Sequence, residues 1–366
     1  MKPRFAMFPI REPSRQFNIA VHALRAFATS MVFSVHLCDS FNTYFFPTCA
    51  WLNAAMPYVK RFGTFGVELF FVISGYVIMS SLGRHSLHEF ILRRLVRIYP
   101  VFAFLTLLFF ASNRFGHFYP DKLTFGSLLI NLSFLDIYFG TPALSPNAWS
   151  LTFEANFYAI AGLACFLLLR GRTIALAFVV LVALSFLIAF PIASYFAAGC
   201  LLYAARGIQP RSLPLSVQFA ALAAWCVLAA TIDHQSSSIL NAVLLFASTV
   251  FFFVVTIPNG LFARLATLKW VFFVGTISYS FYLVHPYAYL PLRVLFQTLQ
   301  LDSWAIGTAA AVYFPTITLA ALFASYIVYR LLEDAPYRAA FGESVFRKSI
   351  MTERATVEAN RVTATT

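Results

Sequence analysis

The chain reads as an all-α, polytopic membrane protein, and three observations carry that reading. Its 366 residues are 60% hydrophobic and only 11% charged, with 43 phenylalanines, whereas a soluble domain carries about a quarter charged residues. Apolar runs long enough to cross about 30 Å of hydrocarbon recur along its whole length. The cations cluster between those runs in an asymmetric pattern.

Ten transmembrane helices are expected, at about 19–38, 64–82, 98–112, 148–169, 173–190, 192–205, 214–232, 239–257, 270–290 and 306–330. Pro191 interrupts the stretch from Thr173 to Ala205, which is one kinked helix or two short ones; charge placement favours two. With ten spans and the N-terminus inside, only Lys60, Arg61, Arg114, Lys122 and Arg293 of the 26 Lys and Arg fall outside, a strong positive-inside bias. Both termini are then cytoplasmic.

Residues 1–18 read as a basic cytoplasmic tail, because they lack the apolar core of a signal peptide. Residues 19–331 form the transmembrane domain. Residues 332–366, of mixed charge and ending in "VEANRVTATT", are expected to be a largely disordered cytoplasmic tail. The net charge of +12 is accounted for by topology, so nucleic acid is not an expected partner. Two outer loops of useful size, 39–63 and 113–147, are rich in Pro, Asn and aromatics. Cys165, Cys200 and Cys226 lie in apolar runs as small packing residues, whereas Cys38 and Cys49 share the outer side and are a candidate disulfide. No Cys or His spacing points to a metal.

Ionisable groups inside spans are costly and mark cavities or partners. The first span holds "LRAFATSMVFSVH". Arg25 and His36 are eleven positions apart, about three helical turns and roughly 16 Å of rise, so both side chains point to nearly the same side. That spacing suits a long ligand held by a charged head near the inner face, with its reactive end at the imidazole. The plain alternatives are a snorkelling Arg and a hydrogen-bonded packing His. Their combination with Glu68 in the second span, Glu154 in the fourth and a basic cluster before the third weighs against those alternatives. Within that cluster Arg93 is read as a topology signal. Arg94 and Arg97, three apart on one face, can grip phosphate in a fork that Lys cannot copy.

In these stretches the sequence resembles the acyltransferase-3 family of integral membrane acyltransferases, over about residues 18 to 338. "LRAFATSMVFSVH" is similar to the family's first-span block, "FFVISGYVI" to the second and "RRLVRIYP" to its Arg-x-x-Arg block; "WSLTFEANFY", "ISYSFYLVHP" and "YRLLEDAPYR" follow in the family's order. The chain departs from many relatives in "NIAVHALR", where they carry an acidic residue shortly before the first-span Arg. It also ends too soon for the hydrolase-like domain that some relatives append, so a stand-alone enzyme is expected.

The resemblance implies an inner-membrane O-acyltransferase with no permanently bound cofactor. Acyl-CoA, most often acetyl-CoA, would be the cytoplasmic co-substrate, and a hydroxyl of a cell-surface or lipid-linked glycan the acceptor. Carried over residue by residue, His36 is the catalytic histidine, Arg25, Arg94 and Arg97 bind the donor's phosphates, and Glu68 and Glu154 are the acidic positions. His36 is expected to act as general base, with direct transfer favoured over an acyl-imidazole and Glu68 as its orienter in the manner of a hydrolytic triad. Tyr282 and His285, three apart, are equally open to structural and acceptor-site roles, and Pro286 biases His285 away from helical geometry. Trp149 is acceptor-facing or an interface anchor. Two other classes stay in play: a flippase for a lipid-linked glycan, which the lack of matching broken-span halves disfavours, and a non-catalytic scaffold, which would have no use for buried ionisable groups.

Overall fold

The structure is a computed structural model that describes residues 18–82, 85–116, 124–233, 236–342 and 344. Apart from Asn18, the N-terminal tail lies outside the described residues, as do the parts of the expected C-terminal tail at 343 and 345–366. Among the described residues the fold is helical throughout, with no strand. Hydrocarbon enforces this, because a spanning backbone must satisfy its own N–H and C=O groups.

The helices are α1 (Ile19–Phe45), α2 (Ala50–Leu82), α3 (Leu87–Gly116), two short pieces α4 (Phe125–Leu132) and α5 (Asp136–Phe139), then α6 (Trp149–Leu169), α7 (Thr173–Ala189) and α8 (Ser194–Ala204). They continue with α9 (Leu215–Thr231), α10 (Ser238–Val255), α11 (Leu261–Leu265), α12 (Lys269–Thr298), α13 (Ile306–Val328) and α14 (Ala335–Phe341). Each of the ten expected apolar runs contains a helix. By length and composition, however, six helices among the described residues are able to cross a membrane, or seven if α7 and the segment Pro191–Ile208, bent by 120°, count as one span. The shortfall has a physical basis. Helix α8 has 11 residues, roughly 16 Å at 1.5 Å per residue, and α12 dilutes its apolar run with Ser278, Ser280, Tyr279, Tyr282 and His285.

Contact registers fix helix directions. Gly63 meets Val35 and Gly66 meets Ala28, so α1 and α2 are antiparallel. His22 meets Phe272, Arg25 meets Ser278 and Phe33 meets Phe281, so α1 and α12 are parallel. Tyr279 and Tyr287 donate to the carbonyls of Ile98 and Leu105, which makes α3 parallel to α12. Helix α2 runs alongside α8 in the same direction, with Phe65 on Tyr195, Gly75 on Gly199 and Tyr76 on Tyr203. Helices α12 and α13 are antiparallel, with Phe296 on Tyr313 and Phe273 on Tyr326.

Three sequence expectations are corrected here. The last helix does not give way to a loose tail at residue 331: a π-helical stretch, Tyr329–Asp334, leads into α14. There Arg338 pairs with Asp334 at 2.5 Å, and Tyr337 accepts a hydrogen bond from Arg93 at 2.8 Å. Pro286 does not break α12, which runs unbroken through Pro286 and Pro291. Cys38 and Cys49 are free thiols.

At the α2–α8 seam the two backbones touch. A Cβ on Gly75 would lie 2.1 Å from the Phe196 carbonyl oxygen, and one on Gly199 2.1 Å from that of Val72. Both obstacles are backbone, so neither yields by a rotamer change; small residues here let the two helices touch. Gly75→Ala and Gly199→Ala should therefore each cost at least the roughly 1–3 kcal/mol typical of overpacking, read as a lower melting temperature of the detergent-solubilised protein. Gly126→Ala, where nothing lies within 4 Å, should melt like the parent.

Candidate active site

Asn18 caps α1 by accepting a hydrogen bond from Ala20 N at 3.0 Å, and its amide reaches the Thr256 carbonyl. From that anchored end His22, fully buried, places Nε2 3.1 Å from the Phe272 carbonyl. Two turns of polar contact follow on the same side: Arg25 Nε donates to Ser278 Oγ at 3.1 Å, and Thr29 Oγ1 to the Ser278 carbonyl. Farther along, the His36 ring rests on His285 with centroids 5.2 Å apart. Arg25 and His36 thus both face α12, as their spacing predicts.

Arg25 borders a cavity shared by α1, α2, α3, α6 and α12. Its polar wall consists of Arg25, Arg94, Arg97, Glu154, Ser74, Tyr158, Ser150, Ser278, Tyr279 and Tyr282. The free space is about 60 Å³, room for a few waters rather than a nucleotide, so a large ligand engages it by a slender arm or after the walls part. Glu154 accepts hydrogen bonds from Ser74 Oγ at 2.5 Å and from Tyr158 OH. Arg94 lies over the Tyr158 ring at 5.4 Å and the Phe90 ring at 5.7 Å, a setting that guanidinium suits and ammonium does not. Arg97 Nε stands 3.7 Å from Glu333 Oε1, while Ser280 Oγ donates to Glu333 Oε2 at 2.8 Å. Three guanidinium groups therefore meet two carboxylates, leaving a positive excess for an anion. Arg93 is turned away and pairs with Glu89 at 2.9 Å.

The cavity ends where Ser150 Oγ and Tyr282 OH meet at 2.8 Å. His285 lies three residues beyond Tyr282, about 4.5 Å further along the helix axis. It is 1% exposed, with Nδ1 3.0 Å from the Phe281 carbonyl and Nε2 3.3 Å from Asn147 Nδ2. His36 is only half-buried, and no hydrogen bond holds its ring among the described residues. Outside the spans, Asp136 ties the α4–α5 segment to α6 by accepting from Thr152 Oγ1; burial pushes its carboxyl above the usual carboxylate range.

Glu68 is not brought to His36. It is buried in α2 within electrostatic reach of Tyr195 and Tyr282, and it does not border the cavity. The α1–α2 register explains why. Gly66 lies at the level of Ala28, so Glu68 sits at least eight α1 residues, about 12 Å, from the level of His36. The residue that does support His36 is His285. Trp149 packs on Phe153, ring centroids 6.0 Å apart, and also stays outside the cavity wall.

Sequence reading missed Glu333, Tyr158, Ser74 and Asn147. Tyr158 had a signal, lying one turn after Glu154 on the same face. Glu333 falls in "YRLLEDAPYR", where a carboxylate pair directly follows an apolar helix. Among the described residues no cluster of three or more His, Cys, Asp or Glu is arranged to hold a metal ion.

Comparison with known proteins places the chain among membrane acyltransferases. The O-acetyltransferase OatA of Staphylococcus aureus is 26% identical over 383 residues, covering 91% of this chain and 59% of that protein. The exopolysaccharide production protein ExoZ of Rhizobium meliloti is 36% identical over 110 residues, 27% of this chain and 33% of ExoZ. The peptidoglycan O-acetyltransferase OatA of Listeria monocytogenes is 28% identical over 169 residues, 40% of this chain and 24% of that protein. The chain thus spans less than two thirds of the length of these relatives. No solved structure matches it. Residues 18–330 match the Acyl_transf_3 family, described as an acyltransferase domain; with that match over most of its length, the chain belongs to the acyltransferase-3 family.

Proposed function

We propose that the protein is a membrane O-acyltransferase that moves an acyl group, most simply acetyl, from cytoplasmic acyl-CoA to a hydroxyl of a glycan on the outer side of the cell's inner membrane. One observation carries this reading: the parallel helices α1 and α12 hold a guanidinium-lined cavity at one level and, three turns further on, an imidazole without hydrogen bonds among the described residues. The O-acetyltransferase and exopolysaccharide names of the relatives point the same way. Ten spans with both termini inside are supported by the charge bias and by the helix directions, in which α1, α3 and α12 run one way and α2, α8 and α13 the other.

In this reading Arg25, Arg94 and Arg97 take the donor's phosphates, and Glu154 and Glu333 keep the guanidinium groups oriented. The thioester reaches past Ser150 and Tyr282 toward His36. His36 accepts the proton of the acceptor hydroxyl as its oxygen attacks the thioester carbonyl. When the tetrahedral intermediate collapses, the carbon–sulfur bond breaks and the CoA thiolate leaves with a proton returned by the imidazolium. The ester stays on the glycan, and no net proton is consumed.

His36→Ala should lower transfer by about 10² to 10⁴-fold while acetyl-CoA binding persists, measured as acetyl content of the cell-surface glycan beside calorimetric donor affinity. Normal acetylation in a well-expressed variant would remove the base from the scheme. Arg94→Ala and Arg97→Ala should each weaken acetyl-CoA binding about 10 to 100-fold, the effect of losing one hydrogen bond to a charged group. Arg93→Ala, whose partner Glu89 lies outside the cavity, should bind like the parent. A flippase for a lipid-linked glycan would show no acetyl-CoA affinity in any of these proteins.

A further inference from the structure

Proline carries no N–H, so at position 286 it cannot donate to the helical acceptor four residues back, the Tyr282 carbonyl. Helix α12 nevertheless runs through Pro286, which leaves that carbonyl open inside the protein. Asn147, two residues before α6, fills the gap: its Nδ2 donates to the Tyr282 carbonyl at 2.8 Å. The same amide nitrogen lies 3.3 Å from His285 Nε2. Asn147 is 4% exposed and His285 1% exposed, so solvent offers neither group an alternative.

The partners dictate where the His285 proton sits. A carbonyl only accepts, so Nδ1, 3.0 Å from the Phe281 oxygen, must carry the hydrogen and donate it. The Asn147 amide nitrogen only donates, so Nε2 must present its lone pair. Both ring nitrogens are then engaged in one neutral tautomer. The His36 ring lies against this fixed ring, also flanked by Phe33, and has both of its own nitrogens free of protein hydrogen bonds among the described residues. Two histidines with centroids 5.2 Å apart are thereby made chemically unequal.

Building on the acyltransferase reading above, we propose that Asn147 is a positioning residue for transfer: seated on the carbonyl that Pro286 leaves open, it locks His285 as an inert platform for His36, so that His36 alone meets the reacting hydroxyl. Asn147 also ends the outer segment that holds α4 and α5, where Asn131 accepts from Leu144 N and Asp136 from Thr152. The acceptor-side loop and the base are therefore joined through one amide.

The test uses full-length protein in lipid nanodiscs with Asn147→Asp, which is isosteric but cannot donate once ionised. Transfer turnover should fall about 10²-fold, the scale of a catalytic group displaced by about 1 Å. KM and affinity for acetyl-CoA should stay at parent values, since the arginines lie below the Ser150–Tyr282 contact. A purely structural role would instead lower the melting temperature and move both constants together. Independently of any folding effect of that variant, the parent protein carrying 15N-histidine should show His285, identified by its loss in His285→Gln, as the neutral Nδ1–H tautomer. An Nε2–H tautomer in the parent overturns the proposal, as does parent turnover in Asn147→Asp when His36→Ala is inactive. If His36→Ala itself keeps parent turnover, the acyltransferase scheme beneath the proposal is what fails.

Discussion

Everything in this molecule hangs on the parallel contact between α1 and α12. A spanning helix satisfies its own backbone, so side chains are the means by which one helix recognises another, and here polar contacts stud a seam otherwise packed by residues such as Phe33 and Phe281. His22, Arg25, Thr29 and His36 of α1 meet Phe272, Ser278 and His285 of α12 in strict order. Close approach at the His22 end is permitted by Gly275, where a Cβ would lie 2.6 Å from the His22 carbonyl oxygen. Slide one helix by a turn and the guanidinium, the hydroxyl and the two imidazoles all lose their counterparts at once. The seam therefore sets register and site geometry together.

Placing three guanidinium groups in a largely apolar bundle is tolerable only if each has a partner or a ring to lie on. The chain supplies both without neutralising the set. Glu154 is itself held by Ser74 and Tyr158, Glu333 by Ser280, and Arg94 rests on two aromatic rings. Cations ring contacts hold but do not neutralise remain available to a ligand anion. The small cavity between them keeps the three groups close together.

Much of this was legible in the sequence because it depends on distances within one helix. The eleven-residue interval between Arg25 and His36, the pair Arg94 and Arg97, and the helix carrying Glu154 all obey the 3.6 periodicity, and each side chain faces where that periodicity sends it. What was not legible depends on registers between helices. Nothing local to α2 says that Glu68 lies far from the level of His36; that follows from Gly66 packing on Ala28. Runs of apolar residues also do not reveal that α8 stops after 11 residues. Glu333 was lost to an expected tail, although the helix persists through its π-turn. Pro286 was read as a bias against helix at His285, and α12 runs through it; the sequence gives no sign that Asn147, more than 130 positions earlier, takes up the carbonyl it leaves open.

Helix α2 shows how packing far from the imidazoles still governs the site. It presents three neighbouring strips to three partners: Gly63 and Gly66 to α1, Gly75 to α8, and Ser74 to Glu154 of α6. At Gly66 and Gly75 the nearest obstacle is the partner's backbone, the carbonyls of Ala28 and Phe196, whereas Gly63 faces the Val35 side chain; small residues let the helices approach this closely. Since Ser74 and Gly75 are consecutive, the depth to which α2 sinks against α8 determines how far the Ser74 hydroxyl reaches toward Glu154. Glu154 in turn shares Tyr158 with Arg94. A methyl group added on the α8 side would thus be felt two helices away as a displaced carboxylate, because a close-packed bundle transmits strain instead of dispersing it. The glycines of α2 thus shape the guanidinium-lined cavity even though none of them borders it.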